Sequence, residues 1–385
     1  MNVVMIGTGY VGLVSGACFA EFGANVRCVD NDLEKINQLR NGTIPIYEPG
    51  LHELVKRNIE SDRLTFHTKL TEVINDTDLI FIAVGTPARR GDGHADLKFV
   101  FEVAKEIANC LKKEVIIVNK STVPIGTARK IKEIINELNP NTKVEVASNP
   151  EFLREGSAIE DFMRPDRVVL GVESEKAENL LKELYRPLNL IETPIVTTNL
   201  ETAELIKYAS NAFLATKISF INELSLLAEN TGADIHGVAK GMGLDKRIGK
   251  KFLHVGPGYG GSCFPKDTLA LIKMAEDHNA TSKIIKSVVE VNNTQKLRMV
   301  EKIYKAMDGD VSRKRIAILG LTFKPETDDM RDAPCLSIIP PLIDSNAEIV
   351  AHDPVGIEEA KKVLPKEVKY SNTIEEAVEG ADAIV

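Results

Sequence analysis

The chain has 385 residues, enough for two or three domains with ample cores. Hydrophobic content of 43% and charged content of 27% are those of an ordinary globular protein, and no uninterrupted apolar run reaches membrane-span length. A formal net charge of −8 argues against nucleic acid or an anionic membrane as partner, while leaving room for a local basic pocket that takes a phosphorylated substrate.

Five cysteines, at 18, 28, 110, 263 and 335, are odd in number and lack CxxC or CxxH spacing. A disulfide framework or structural zinc is therefore not expected, and His94, His236, His254 and His278 have no metal-ligand spacing. Cys18 and Cys28 read as core residues. The N-terminus enters a strand without a basic segment and cleavage site, so no signal peptide is expected and the cytoplasm is the expected location.

Residues 3–6 are a short apolar run, followed at once by the turn Gly7-Thr-Gly9-Tyr10-Val11-Gly12 and a helical pattern over 13–22. After Gly23 a second strand, 26–29, ends in Asp30. Strand, glycine turn, helix, strand and acid form the dinucleotide fingerprint in its required context. Gly7 makes the tight turn, Gly9 lets a pyrophosphate approach the backbone, and Gly12 lets helix and strand pack closely. The helix N-terminus offers amides to the phosphates. Asp30 is placed to accept from a ribose 2′-OH, and no arginine follows in Asn31-Asp32, so NAD is favoured over NADP.

Further apolar runs at 79–84, 115–118, 144–147 and 167–171 alternate with helical patterns through residue 198. They indicate a parallel sheet buried on both faces. Three of them lead into polar turns, Gly85-Thr86-Pro87, the stretch 120–126 containing Thr122, and the stretch 148–156 containing Glu151, Phe152, Leu153 and Glu155. Ligands in such sheets bind beyond the carboxyl ends of strands. Residues 89–94 read as an exposed polar loop.

Asn199 is a suitable N-cap for one long helix over 201–230, stopped by Gly232. Lys207 and Asn211 share a face of it at i,i+4. The stretch 258–267, GYGGSCFPKD, places glycines at 258, 260 and 261 in a mobile turn whose amides approach a ligand. Pro265 marks the first turn of a helix, so Cys263 sits at a helix N-terminus that favours thiolate over thiol. Asp267 falls on the same face and is able to orient water or a proton. The plainer reading makes Cys263 a small buried hydrophobe.

Residues 315–321, 348–354 and 381–385 echo the opening strand, the second strand with its acid, and residues 77–82. A second nucleotide is expected there, held without GxGxxG and with Lys324 and Arg331 available for phosphate. The chain stops where a strand should finish, so this domain is expected to be incomplete. The fold class expected is α/β, with two Rossmann-like parallel-sheet domains joined by a long central helix and a small helical domain. The boundaries expected are 1–198 for the dinucleotide-binding domain, 199–298 for a central helical domain, and 299–385 for the second Rossmann-like domain.

GTGYVGL, VGTP, STVPIGT, NPEFLREG, ELIKYASNAFLATKISFINE, RIG, GPGYGGSCFPKD and FKPETDDMRDAP run in this order through essentially the whole chain. Together they resemble the UDP-glucose 6-dehydrogenase family, within the UDP-sugar and GDP-mannose dehydrogenases. The resemblance implies a four-electron oxidation of UDP-glucose to UDP-glucuronate that consumes two NAD, in a homodimer built by the central domain. It implies that Cys263 attacks the bound aldehyde, giving a thiohemiacetal and then a thioester. Lys207 and Asn211 would stabilise charge on oxygen, and Asp267, with Glu151 and Thr122, would manage water and protons. Gly7, Gly9, Tyr10, Val11, Gly12, Asp30, Lys35, Thr86, Thr122, Glu155, Lys266 and Arg331 align with cofactor contacts. Glu151, Phe152, Leu153, Glu155, Lys207, Asn211, Phe252, Tyr259, Gly260, Phe323 and Lys324 align with substrate contacts, and Arg247 with the neighbouring subunit's substrate. Three alternatives stay open at this point. A GDP-mannose or UDP-N-acetylhexosamine dehydrogenase would use Cys263 identically. A two-electron dehydrogenase would leave Cys263 structural. A nucleotide-sugar sensor would not turn over.

Overall fold

The computed structural model describes residues 1–89 and 93–385, so the centre of the expected loop at 89–94 lies outside the described residues. The chain folds into two compact units, Met1–Tyr208 and Ala209–Val385.

The first unit is built on strands β1 (Asn2–Ile6), β2 (Asn25–Val29), β3 (Leu64–His67), β4 (Leu79–Ile82), β5 (Val115–Asn119), β6 (Val144–Ser148), β7 (Val168–Gly171) and β8 (Ile195–Thr198). Their order in one sheet is β3-β2-β1-β4-β5-β6-β7-β8. All residues of β4 and β5 are buried, because helices cover both faces and leave no side of these strands to water. The chain crosses from β3 at one edge to β4 beside β1, which creates the switch point where α/β sheets bind ligands. One expectation fails: β6 and β7 are antiparallel, with Ser148 opposite Gly171, although β7 and β8 are again parallel. A run of buried apolar residues reports burial on two faces and carries no information about strand direction.

The helix Leu200–Thr231 contains the unit boundary. It starts where the Asn199 side chain accepts from Thr202 N–H at 2.8 Å and stops before Gly232, whose φ of +76° is left-handed. In the second unit follow helices Ile235–Gly243, Phe264–Asp277 and Lys283–Ala306. Strands β9 (Arg315–Leu319), β10 (Glu348–His352), β11 (Lys369–Tyr370) and β12 (Ala383–Ile384) form a parallel sheet in the order β11-β10-β9-β12. Its core is Ile316, Ile318, Ile339, Leu342, Ile349 and Ala351. No helix among the described residues is long and apolar enough to cross a membrane.

Candidate active site

The turn after β1 has the form a dinucleotide needs. Gly7 takes φ +101°, and a Cβ there would lie 2.5 Å from Ala83 O. A Cβ on Gly12 would lie 2.0 Å from Gly7 O, so only glycine lets the helix Tyr10–Glu21 start this close to the strand. Gly9, the N-cap, is different: a Cβ there meets nothing within 4 Å. No neighbour among the described residues requires glycine at this position, and the open space over a helix N-terminus is where a pyrophosphate would lie. Asp30 accepts from Thr8 N–H and Thr8 Oγ1 at 2.8 and 2.7 Å, from Asp32 N–H, and pairs with Lys35 Nζ at 3.5 Å. Burial alone would raise its pKa, but these partners outweigh burial and hold the carboxyl below its ordinary range. The residues present fit NAD.

Tyr10 extends this turn to residues 155–158. Its hydroxyl donates to Glu48, and Gly156 N–H donates to Tyr10 Oη at 3.0 Å and to Glu48 Oε2 at 2.7 Å. Ala158 N–H donates to the other Glu48 oxygen at 2.7 Å, so one buried carboxylate grips the turn that follows Glu155. Burial, with Glu48 alongside, raises the Tyr10 phenol above its usual range and keeps it protonated.

Beyond β4, β5 and β6 the polar turns meet the long helix. Lys207 Nζ pairs with Glu151 Oε1 at 2.8 Å, with both side chains about 5% or less exposed. The other Glu151 oxygen accepts from Leu153 N–H at 2.6 Å. Burial would raise the Glu151 pKa, but Lys207 first, then Leu153 and Lys120, bring it below the usual value, so the carboxylate is ionised. Phe152 stacks under the Arg167 guanidinium at 3.5 Å from its ring centre, with Lys207 Nζ at 5.4 Å. Thr86 Oγ1 donates to Thr122 O at 2.8 Å, joining two of the expected residues.

Two charged groups lie here without a role assigned from the sequence. Lys120 is 2% exposed and donates to Asn149 Oδ1 and Tyr185 Oη at 3.1 and 3.3 Å. Burial pushes its ammonium down to about 8. Glu204 is also buried, and burial pushes its carboxyl up to about 7 against the pull of two backbone amides. Glu204 occupies the same helix stripe as Lys207 and Asn211, spaced at i, i+3 and i+7, and that spacing is the signal that would have found it.

In the second unit, Cys263 is the N-cap of the helix Phe264–Asp277, with Pro265 in the first turn. Its Sγ lies 3.5 Å from Ser262 Oγ, and its carbonyl accepts from Asp267 N–H at 2.8 Å. Asp267 is fully enclosed, gripped by Asn211 Nδ2 at 2.6 Å and Lys266 Nζ at 2.7 Å. Asn211 and Asp267 are thus brought together, as are Glu151 and Lys207 in the first unit. The expectation of a mobile glycine turn at 258–261 is corrected. Tyr259 N–H and O are both held by the Asn292 amide, and Gly261 N–H donates to Arg331 O at 2.7 Å. A Cβ on Gly260 would lie 2.3 Å from Asp332 O, and one on Gly261 2.7 Å from the Phe323 ring. Close packing within the chain accounts for these two glycines.

Phe323 also lines a cavity of about 130 Å³ with Gly320, Thr322, Cys335 and Pro257. Lys324 Nζ lies 5.4 Å from the Phe323 ring centre, and Arg331 is engaged by Asp329 at 2.7 and 2.9 Å. Phe252 packs 6.0 Å from Phe264 with φ +64°. Arg247 is 90% exposed and paired with Asp245 at 2.6 Å. No group of His, Cys, Asp and Glu among the described residues is arranged to hold a metal ion.

Sequence comparison accounts for nearly the whole chain. Residues 1–189 match the NAD binding domain of the UDP-glucose/GDP-mannose dehydrogenase family, residues 201–294 its central domain, and residues 317–385 its UDP binding domain. The UDP-glucose 6-dehydrogenase of Rhizobium meliloti (strain 1021) is 53% identical over 387 residues, covering 100% of this chain and 88% of that protein. UDP-glucose 6-dehydrogenase YwqF of Bacillus subtilis (strain 168) is 52% identical, covering 100% and 87%. Among solved structures, a UDP-glucose dehydrogenase from the hyperthermophilic archaeon Pyrobaculum islandicum superposes with a TM-score of 0.94 at 40% identity, covering 100% of this chain and 88% of that one. A UDP-D-ManNAc dehydrogenase from Pyrococcus horikoshii, at 26% identity, gives 0.86 with the same coverage. The chain belongs to the UDP-glucose/GDP-mannose dehydrogenase family and is an NAD-dependent dehydrogenase.

Proposed function

We propose that the chain oxidises the C6 alcohol of UDP-glucose to the carboxylate of UDP-glucuronate, consuming two NAD and one water per turnover. The observation that carries this reading is the identity of about half of all residues, over the full chain, to proteins named UDP-glucose 6-dehydrogenase. The lower TM-score and identity of the UDP-D-ManNAc enzyme favour UDP-glucose over the sibling sugars.

The residue roles follow from charge and position. NAD would accept a hydride from the reacting carbon in each of two steps. The first step turns the alcohol into an aldehyde and releases the hydroxyl proton. An aldehyde offers no tetrahedral carbon from which a second hydride can leave, and addition of the Cys263 thiolate makes one. Loss of hydride from that thiohemiacetal leaves a thioester, and water cleaves it to the carboxylate and the free thiol. Cys263, as the N-cap of a helix, is placed where backbone amides favour its thiolate. The ammonium of Lys207 and the amide of Asn211 are suited to the negative charge that grows on oxygen in each tetrahedral species. Glu151, ionised beside Lys207, and Asp267 are suited to receiving protons from alcohol and water, with Thr122 at the second of the three turns.

A homodimer is part of the same reading. Phe213, Phe220 and Leu227 recur every seven residues on the helix Leu200–Thr231 and are 65%, 47% and 60% exposed, an apolar stripe suited to a second copy. Arg247 would then extend toward the partner's substrate. Localisation in the cytoplasm is consistent with five free cysteines among the described residues.

The test is NADH released per UDP-glucose consumed, in the wild type and Cys263→Ser. A ratio near two in the wild type, with the variant stalled before complete turnover, is expected. A ratio near one that the variant leaves unchanged would reduce Cys263 to a structural residue.

A further inference from the structure

Glu204 has no part in the chemistry above, yet it is 3% exposed and lies one turn before Lys207 on the same helix. Its two oxygens accept from Gly126 N–H at 2.6 Å and Ala128 N–H at 2.8 Å. These are the free amides at the start of the helix Thr127–Leu138, so a carboxylate supplied from 76 and 78 positions away caps that helix. Gly126 itself contributes no side chain to the cap. Charge-assisted hydrogen bonds and the helix dipole offset part of the cost of burying the acid.

The capped helix continues the turn that holds Thr122. The other end of this turn is tied to the segment after β4, through Ser121 Oγ to Val84 O at 2.7 Å and Thr86 Oγ1 to Thr122 O at 2.8 Å. Ordinary capping needs only a local Ser, Thr, Asp or Asn. Here the cap comes from the helix that also carries Lys207, three residues further on, and Lys207 is bound to Glu151. The Thr122 turn, Lys207 and Glu151 therefore share one chain of short contacts, in which Glu204 is the link between turn and helix.

We propose that Glu204 is a positioning residue of the reaction: its double grip on Gly126 and Ala128 keeps the Thr122 turn in register with the Lys207–Glu151 pair. The inference rests on the functional reading of those three residues. A glutamine at 204 keeps one acceptor and turns an N–H donor toward the second amide. A proline at 128 removes one of the two amides and leaves Glu204 in place, in a first helical turn that tolerates proline as the helix at Pro265 does.

The experiment measures kcat, KM for NAD and for UDP-glucose, and melting temperature for Glu204→Gln and Ala128→Pro, well above pH 7 where Glu204 is ionised. Displacement of the turn should lower kcat about tenfold or more in both variants, with each KM within about threefold of the wild type. Wild-type kcat in folded Glu204→Gln, with change confined to melting temperature or a KM, would overturn the proposal. If Glu204→Gln does not fold, wild-type kcat in Ala128→Pro overturns it. Wild type and Cys263→Ser are assayed alongside. A wild type that does not oxidise UDP-glucose sinks the functional reading and this inference together. An active wild type with unaffected variants sinks this inference alone.

Discussion

After β1, Gly7 N–H donates to Val29 O at 2.8 Å and Thr8 N–H donates to Asp30; after β9, Gly320 N–H donates to His352 O at 2.8 Å and Leu321 N–H donates to Asp353. Both glycines have positive φ, +101° and +93°. Two strand–turn–strand–acid units thus share one hydrogen-bond scheme. They then diverge. In the first, the helix begins at Tyr10, Gly12 packs against Gly7, and Gly9 is left facing open space. In the second, the next helix is Cys335–Asp344, and the intervening residues carry Phe323, Lys324 and Arg331. Asp30 keeps 12% of its side chain exposed. Asp353 is nearly enclosed and accepts from four amides, Leu321, Thr322, Val355 and Gly356, at 2.7–3.3 Å. The lesson is that the acid ending the second strand is available to a ligand only where the turn leaves it reachable. Where the chain wraps around it, the same acid is a structural cap.

The comparison breaks most visibly at its glycines. Gly12→Ala should cost about 3 kcal/mol, because the new Cβ meets the Gly7 carbonyl at 2.0 Å and backbone cannot step aside cheaply. Gly320→Ala, with open space but a left-handed φ, should cost about 1 kcal/mol. Denaturant unfolding of each variant measures both, and equal losses would erase the distinction between a packed turn and an open one.

The acids give the next largest effect. Asp353→Asn should cost about 1–3 kcal/mol, since buried amides lose an acceptor. Asp30→Asn should change stability less and raise KM for NAD. Burial would raise the Asp353 pKa, but its four amides outweigh burial and hold it below the ordinary range. Its stabilisation is therefore present above the unfolded carboxylate value and is lost as pH falls through the lower folded value. Unfolding free energy followed into acid should fall less steeply for Asp353→Asn than for the wild type. Parallel curves would deny the carboxylate this role.

The smallest change in stability belongs to Gly9→Ala, whose methyl meets no atom of the described residues within 4 Å. Its melting temperature should stay within about 2 °C of the wild type, at the scale of surface substitutions, while KM for NAD rises. A stable variant with unchanged KM would show that the open space is not where the pyrophosphate lies.

Much of the first turn was legible because its requirements are local. Gly7, Gly12, Asp30 and Cys263 at a helix start all follow from backbone sterics, spacing and proline placement within a few residues of one another. The Lys207–Glu151 and Asn211–Asp267 contacts were not legible from spacing, since each joins residues 56 positions apart. Glu48 and Glu204 escaped for the same reason. Each is a buried carboxylate gripping two amides at a distant helix start; in the sequence Glu48 looks like any acidic residue, and Glu204 is marked only by its helical spacing from Lys207 and Asn211.

By itself the sequence determined the α/β pattern, the glycine turns, the cysteine at a helix N-terminus and the long helix between Asn199 and Gly232, because periodicity, positive φ and capping act over a few residues. The tertiary structure alone decided the reversed direction of β7, the enclosure of Asp353, the packing of Gly260 and Gly261 against residues 323–333, and the partners of the buried charges. Those outcomes depend on which distant backbone amides and side chains meet once water is excluded, and a charge in a dry interior is held by whatever the fold brings to it.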